Sequence, residues 1–151
     1  MADGIRFATA EDVAAVMALE QGSIAHPWPE EDIRRLITDD DKFALVLEGE
    51  GGSLIGYIGV SIVAGEASVG NLVVAADQRG RGLGTLLVEA LVEELISRGA
   101  EEIFLEVEAT NGPARSVYGK CGFEEYNSRK NYYGAGRDAI LMKRAVRPAG
   151  L

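Results

Sequence analysis

The stretch Asp77-Gln-Arg-Gly-Arg-Gly-Leu-Gly-Thr-Leu-Leu87 runs a glycine-rich polar loop directly into an amphipathic helix. Ahead of it stands the β-branched run Asn71-Leu-Val-Val74. Behind it Leu83, Leu86, Leu87, Ala90, Leu91 and Leu95 recur at helical spacing, so the local order is strand, loop, helix. Gly80, Gly82 and Gly84 leave the backbone bare where the first helical turn has unpaired N–H groups. The helix dipole adds partial positive charge at the same point, and such a place binds phosphates. Two familiar phosphate loops do not fit. No Lys occurs in the loop, as a P-loop requires, and Thr85 and Leu87 stand where the fingerprint GxGxxG needs glycine. A plain turn and helix cap is the alternative reading of the glycines.

With 151 residues, 47% of them hydrophobic, the chain suits one domain with its own core, placed at 1–147 with 148–151 as a tail. Cys121 is the only cysteine, which excludes an internal disulfide framework. The start Met1-Ala-Asp-Gly4 has no signal-peptide pattern and no run approaches the length of a membrane span, so a cytoplasmic protein is expected. The net charge of -9, with acidic residues dense between Glu30 and Glu50, argues against nucleic acid or membrane as a partner. It is compatible with a basic or ammonium-bearing substrate, and equally with simple solubility. His26 is the only histidine, so no metal site is expected.

In chain order, Ile5-Arg-Phe-Ala8 reads as a short strand, and Thr9-Ala-Glu-Asp12 as a capping box before a helix from Val13 to about Gly22. After the loop Ser23-Ile-Ala-His-Pro-Trp-Pro29, Pro29 takes the first position of a second helix carrying Ile33, Leu36 and Ile37. Segments 42–48 and 54–63 form an antiparallel hairpin, and 67–74 is a third strand. The helix over 83–98 ends at Gly99. That crossover makes the next strand, 102–109, a parallel neighbour of the strand before the loop. A short helix opens at Thr110-Asn-Gly-Pro113, and strands at 123–126 and 138–143 close the chain. The fold class is α/β: a single-domain mixed sheet of about seven strands flanked by four helices.

Arg79-Gly-Arg-Gly-Leu-Gly84 resembles the Arg/Gln-x-x-Gly-x-Gly/Ala loop of the GCN5-related N-acetyltransferases, whose order of elements nearly the whole chain shares. The likeness sharpens at Leu105-Glu-Val-Glu-Ala-Thr-Asn111, at Tyr118 ahead of Gly122-Phe123, at Arg129-Lys-Asn-Tyr-Tyr133 and at Pro27-Trp28. These stretches are similar to the family members that acetylate the N-terminal alanine of ribosomal small-subunit protein eighteen. The resemblance implies acetyl-CoA as cosubstrate, no metal, and a protein N-terminus as acceptor. It implies a pyrophosphate held by Arg79, Gly80, Arg81, Gly82, Leu83, Gly84 and Thr85. It also implies pantetheine amides paired like an added strand with Leu72, Val73 and Val74, and touched by Asn111. Glu106 becomes the base and Tyr118 the acid that meets the departing sulfur. Trp28, Asn71, Glu106, Tyr132 and Tyr133 face the acceptor, the two tyrosines in a turn near the substrate mouth.

The chain departs from the family pattern in three places. Ala75-Ala76 replaces Asp-Pro or His-Pro, Gln21 to Ala25 alters the approach to His-Pro-Trp, and the strand ahead of the loop offers no carboxylate beyond Glu66. The last difference throws weight onto Glu106.

Amine acylation needs a base for the ammonium proton, a polarised carbonyl and an acid for the leaving group. Glu106, between Leu105 and Val107, would have a raised pKa if it faced an apolar interior. Otherwise it shares a solvated sheet face with Phe104 and Glu108, the reserve candidate. Tyr118 is a donor or a half-buried packing residue, and Trp28 a substrate contact or a core residue beneath the second helix. Asn111 is also an apt N-cap, and Tyr132 and Tyr133 equally suit exposed packing. Nothing in the sequence activates Cys121, so direct transfer is expected rather than an acetyl-cysteine step. A shared thioester leads us to expect Glu106 and Tyr118 on one side of the sheet. A small-molecule amine or lysine acceptor, a non-catalytic acyl-CoA sensor and a plain scaffold remain the rival functions.

Overall fold

A computed structural model of the chain describes residues 3–23 and 27–146; His26 and the 148–151 tail lie outside the described residues. The elements run β1 (Ile5–Phe7), α1 (Val13–Gln21), α2 (Glu30–Thr38), β2 (Lys42–Glu48), β3 (Leu54–Val63) and β4 (Glu66–Val74). They continue as α3 (Leu83–Ser97), β5 (Glu102–Glu108), α4 (Gly112–Lys120), β6 (Glu124–Gly134) and β7 (Arg137–Ala145). One sheet orders the strands β1-β2-β3-β4-β5-β7-β6, with β4 and β5 parallel and every other pair antiparallel.

The helices cover both faces, which is why β2 is buried without a break from Phe43 to Leu47. On one face Leu87, Leu91 and Leu95 of α3 pack with Leu45, Ile58, Leu105 and Val107. On the other, Val13, Val16, Ile33 and Leu36 of α1 and α2 meet Ala44, Val46, Tyr57 and Val73. Ahead of α1 the Thr9 N–H donates to Asp12 at 2.7 Å, as the capping box requires, and the Arg6 guanidinium grips the same carboxylate at 2.8 and 2.9 Å.

Two boundaries differ from the sequence reading. Pro29 stands one residue outside α2 as its N-cap, in extended backbone. β6 does not stop at Tyr126 but runs to Gly134, so Tyr132 and Tyr133 belong to a strand and not to a turn. β6 is the sheet edge and is exposed at every residue up to Tyr133. It therefore carries no apolar alternation by which its length is recognised.

The feature that positions the site is the parting of β4 from β5. They pair only at Glu66/Glu102, Ala67/Ile103 and Ser68/Phe104. Beyond Ser68, β4 continues along β3 as far as Val74/Gly56, and β5 continues along β7 as far as Glu108/Ala139. The register of β4 on β3 also jumps, from Val69/Val60 to Leu72/Ile58, so β4 carries one extra residue at Gly70–Asn71. Such a bulge bends its strand and reverses which face the following side chains take. Ala67 and Val69 lie in the α3-side cluster; past the bulge it is Leu72 and Val74 that pack there, while Val73 turns toward α1 and α2.

Candidate active site

At the C-terminal end of β4 the loop reaches α3 with Gly80 and Gly82 in left-handed backbone, φ +80° and +78°. No heavy atom lies within 4 Å of where their Cβ atoms would stand, so the loop is both conformationally reserved for glycine and open above. The first turn of α3 has no acidic residue to neutralise its N–H groups. Arg79 Nε donates to the Val74 carbonyl at 3.2 Å and ties the loop to the strand end.

A cavity of about 640 Å³ lies between this loop, the free side of β4 and α4. Leu72, Val73, Val74, Arg79, Gly80, Gly82, Leu83, Gly84, Thr85 and Asn111, all residues that the resemblance offered for the coenzyme, line it. Arg81 does not, because its guanidinium turns back to the Gln78 side-chain oxygen. Asn111 is also the N-cap of α4, accepting from Ala114 N–H at 3.2 Å. Pro113, Ser116, Val117 and Lys120 line the cavity too and were not anticipated. Their spacing is one face of a helix, a signal that was present in the sequence.

Tyr118 lies off that face. It is buried in the α3-side cluster with Leu105 and Val107, edge-to-face with Phe123 at 5.6 Å, and it does not line the cavity. Burial, then the nearby Tyr133 and Cys121, push its phenol well above the ordinary tyrosine range. Cys121 is buried as well, and burial pushes its thiol up, away from the reactive thiolate.

Glu106 takes the solvated of its two alternatives and corrects one expectation, that it shares a side of the sheet with Tyr118. Strand alternation sets it opposite Leu105 and Val107, so it is exposed and does not face an apolar interior. It and Tyr118 therefore occupy opposite faces of the sheet. Beside them β4 and β5 are unpaired beyond Ser68/Phe104, so the sheet is parted between its two faces at this level. Among the described residues Glu106 has no hydrogen bond or ion pair. Glu108 on the same face is taken up by Arg137, which grips it at 2.8 and 3.0 Å and lowers its pKa.

Tyr133 lies within electrostatic range of both Glu106 and Tyr118. Burial, then the charge of Glu106, Tyr132 and Glu108, push its phenol up to about 12, and Tyr133 in turn raises Tyr118. Tyr132 meets Tyr133 edge-to-face at 5.0 Å. Across the gap Trp28 is half-buried against the α1 and α2 cluster, and its ring tip stands 2.8 Å from where a Gly70 Cβ would be. Asn71 does not point into the opening; its side-chain amide donates at 2.8 Å to Glu20, a buried carboxylate that sequence reasoning passed over.

Amide donors on one face and, on the other, a carboxylate without a partner among the described residues suit a transfer from a phosphorylated carrier to an amine, the chemistry of an N-acyltransferase. The chain belongs to the acetyltransferase (GNAT) family, whose sequence profile matches residues 13–123. It is similar to the ribosomal protein bS18-alanine N-acetyltransferase of Escherichia coli, at 34% identity over 134 residues, covering 87% of this chain and 89% of that one. Its likeness to N-alpha-acetyltransferase 30 of Schizosaccharomyces pombe is 34% over 120 residues, covering 76% and 71%. The crystal structure of the ribosomal-protein-S18-alanine N-acetyltransferase from Escherichia coli superposes with a TM-score of 0.89 at 32% identity, covering 97% of this chain and 95% of that one.

Proposed function

We propose that this enzyme transfers the acetyl group of acetyl-CoA to the N-terminal α-amine of a protein, with the N-terminal alanine of ribosomal protein bS18 as its acceptor. The observation that carries the proposal is the parting of β4 from β5 beyond Ser68/Phe104, with the glycine loop and its cavity on one face and Glu106 on the other; it supports a reading in which carrier and amine approach from opposite faces. The named relatives, one bacterial and one yeast, act at N-termini, and this chain matches them along most of its length.

The residues fit acetyl-CoA. The amides around Gly80, Gly82 and Gly84, with the Arg79 and Lys120 cations beside them, suit a pyrophosphate. The backbone of Leu72 to Val74, unpaired toward β5, suits the pantetheine amides as an added strand. Bound there, acetyl-CoA supplies an activated acetyl thioester.

Glu106 takes the proton that the acceptor ammonium must lose; being exposed, it does so directly or through one water. The resemblance makes Tyr118 the donor to the departing sulfur; it sits one helical step off the cavity-lining face of α4, so the role requires the bound thioester to reach past Val117 to its phenol. The two faces of the sheet thus separate the roles: base on the amine side, acid on the carrier side. Arg137 neutralises Glu108 and leaves Glu106 as the basic group of the pair. Tyr133 is within electrostatic range of both Glu106 and Tyr118.

The test is intact-mass analysis of an alanine-first peptide with the bS18 N-terminal sequence, beside lysine peptides, polyamines and aminoglycosides, each incubated with acetyl-CoA. Acetylation of the alanine peptide at its α-amine is expected. Faster turnover of a lysine side chain or a small amine would replace the proposed acceptor, and tight acetyl-CoA binding without turnover of any amine would leave a sensor.

A further inference from the structure

Glu20, in the last turn of α1, is fully buried, and among the described residues it is paired with no cation. Three donors do: the Trp28 backbone N–H at 2.6 Å on one oxygen, and on the other the Asn71 side-chain amide at 2.8 Å and the Tyr57 hydroxyl. They come from the loop before α2, from the bulge in β4 and from β3, so one carboxylate joins three segments that are distant in sequence. Tyr57 is itself fully buried and seals the cluster from water. Burying a carboxylate is costly, and an apolar side chain would pack α1 onto the sheet without that cost. What an apolar residue cannot do is hold the Trp28 amide and the Asn71 side chain in one register.

Trp28 lines a cavity on the α2 side together with Gly70, and Asn71 is the other residue of the bulge. The Trp28 ring already touches Gly70, which leaves no slack between the loop and the bulge. The bulge lies directly beyond Ser68/Phe104, the last pair that β4 makes with β5. We infer that Glu20 is a positioning residue for acceptor recognition: it locks the loop at Trp28 to the β4 bulge at Asn71 and so fixes the width of the acceptor mouth. It touches no reacting atom. The inference rests on the reading that this mouth receives the amine.

Glu20→Gln puts an N–H where a donor now arrives, so one of the three hydrogen bonds is lost with little change of volume. The KM for the alanine-first peptide should rise about tenfold or more, with the KM for acetyl-CoA unchanged within about twofold. Adding Asn71→Asp to Glu20→Gln supplies an acceptor for the new amide and should return the peptide KM toward the wild-type value. Asn71→Asp alone, which opposes two carboxylates, should be worse than either. If Glu20→Gln does not fold, Asn71→Ala carries the test, with the same rise confined to the acceptor KM. A peptide KM unmoved in these variants, or both KM values moving together with no recovery in the double variant, would overturn the inference. The proposed function fails separately, if the wild-type enzyme acetylates no peptide.

Discussion

The two sides of the site are built from different materials. On the α3 and α4 face the site is backbone: left-handed glycines, the first turn of a helix, and the side of β4 that β5 abandons. On the α1 and α2 face it is side chains, held by contacts such as Asn71 to Glu20, 51 residues apart, and Arg137 to Glu108, 29 apart. A backbone site depends on local conformation and recognises what all coenzyme carriers share. A side-chain site depends on the whole fold and decides which amine is accepted. Substitutions on the two sides should therefore separate in kinetics, one set moving the constants for acetyl-CoA and the other those for the acceptor.

The largest effects are expected where the two sides meet. Glu106→Gln should lower kcat by about 10²- to 10⁴-fold with the acetyl-CoA KM unchanged, and Tyr118→Phe by about 10²-fold, both read from steady-state rates. Cys121→Ala should retain most activity, since its thiol is buried and pushed away from the thiolate form. Loss of turnover in a folded cysteine variant would refute direct transfer.

Next comes the backbone side. Gly82→Ala must hold a side chain at φ +78°, which costs roughly 1–2 kcal/mol in the loop, and should weaken acetyl-CoA about tenfold while leaving the peptide KM alone. The thermal stabilisation given by acetyl-CoA should shrink accordingly. On the acceptor side Gly70→Ala drives a methyl against the Trp28 ring, and should raise the peptide KM by roughly fivefold without touching coenzyme binding.

The smallest effect concerns the start of α1, the helix that carries Glu20. Arg6 lowers the Asp12 pKa from 3.8 to about 2, so this carboxylate stabilises the fold at pH values above the unfolded pKa, and the contribution fades as pH falls toward 2. With Arg6 partly exposed, Asp12→Asn should cost about 1–2 kcal/mol at pH 7 by urea unfolding, and wild type and variant should converge below pH 3.

The same contrast explains what the sequence disclosed. The glycine loop, α3 and the parallel placement of β4 and β5 were legible because each is a local pattern: positive-φ residues, a 3.6-residue period, a helical crossover between two strands. Asn111 was legible as an N-cap for the same reason. Glu20 was not, because a glutamate closing a helix looks like any solvated end until Tyr57 and Asn71 fold over it. Glu106 was recognised as a candidate with its orientation left open between an apolar and a solvated face, and it was wrongly expected on the same side of the sheet as Tyr118. The alternation of Ile103, Leu105 and Val107 with Phe104, Glu106 and Glu108 already separates an apolar face from a polar one. What the alternation does not carry is the gap beside it, and the bulge at Gly70–Asn71 leaves only a glycine as its trace. Arg81 escaped for a humbler reason, a hydrogen bond to Gln78 that no spacing rule predicts.

A crystal structure with a bisubstrate analogue, an alanine-first peptide joined through its α-amine to coenzyme A, tests most directly whether the two substrates meet inside the sheet. The account predicts that the analogue threads the gap between β4 and β5. Its pyrophosphate should lie at Gly80 to Gly84, its sulfur beside Tyr118, and its peptide nitrogen within a hydrogen bond or one water of Glu106. An analogue lying wholly on one face, or a peptide nitrogen far from Glu106, would contradict it.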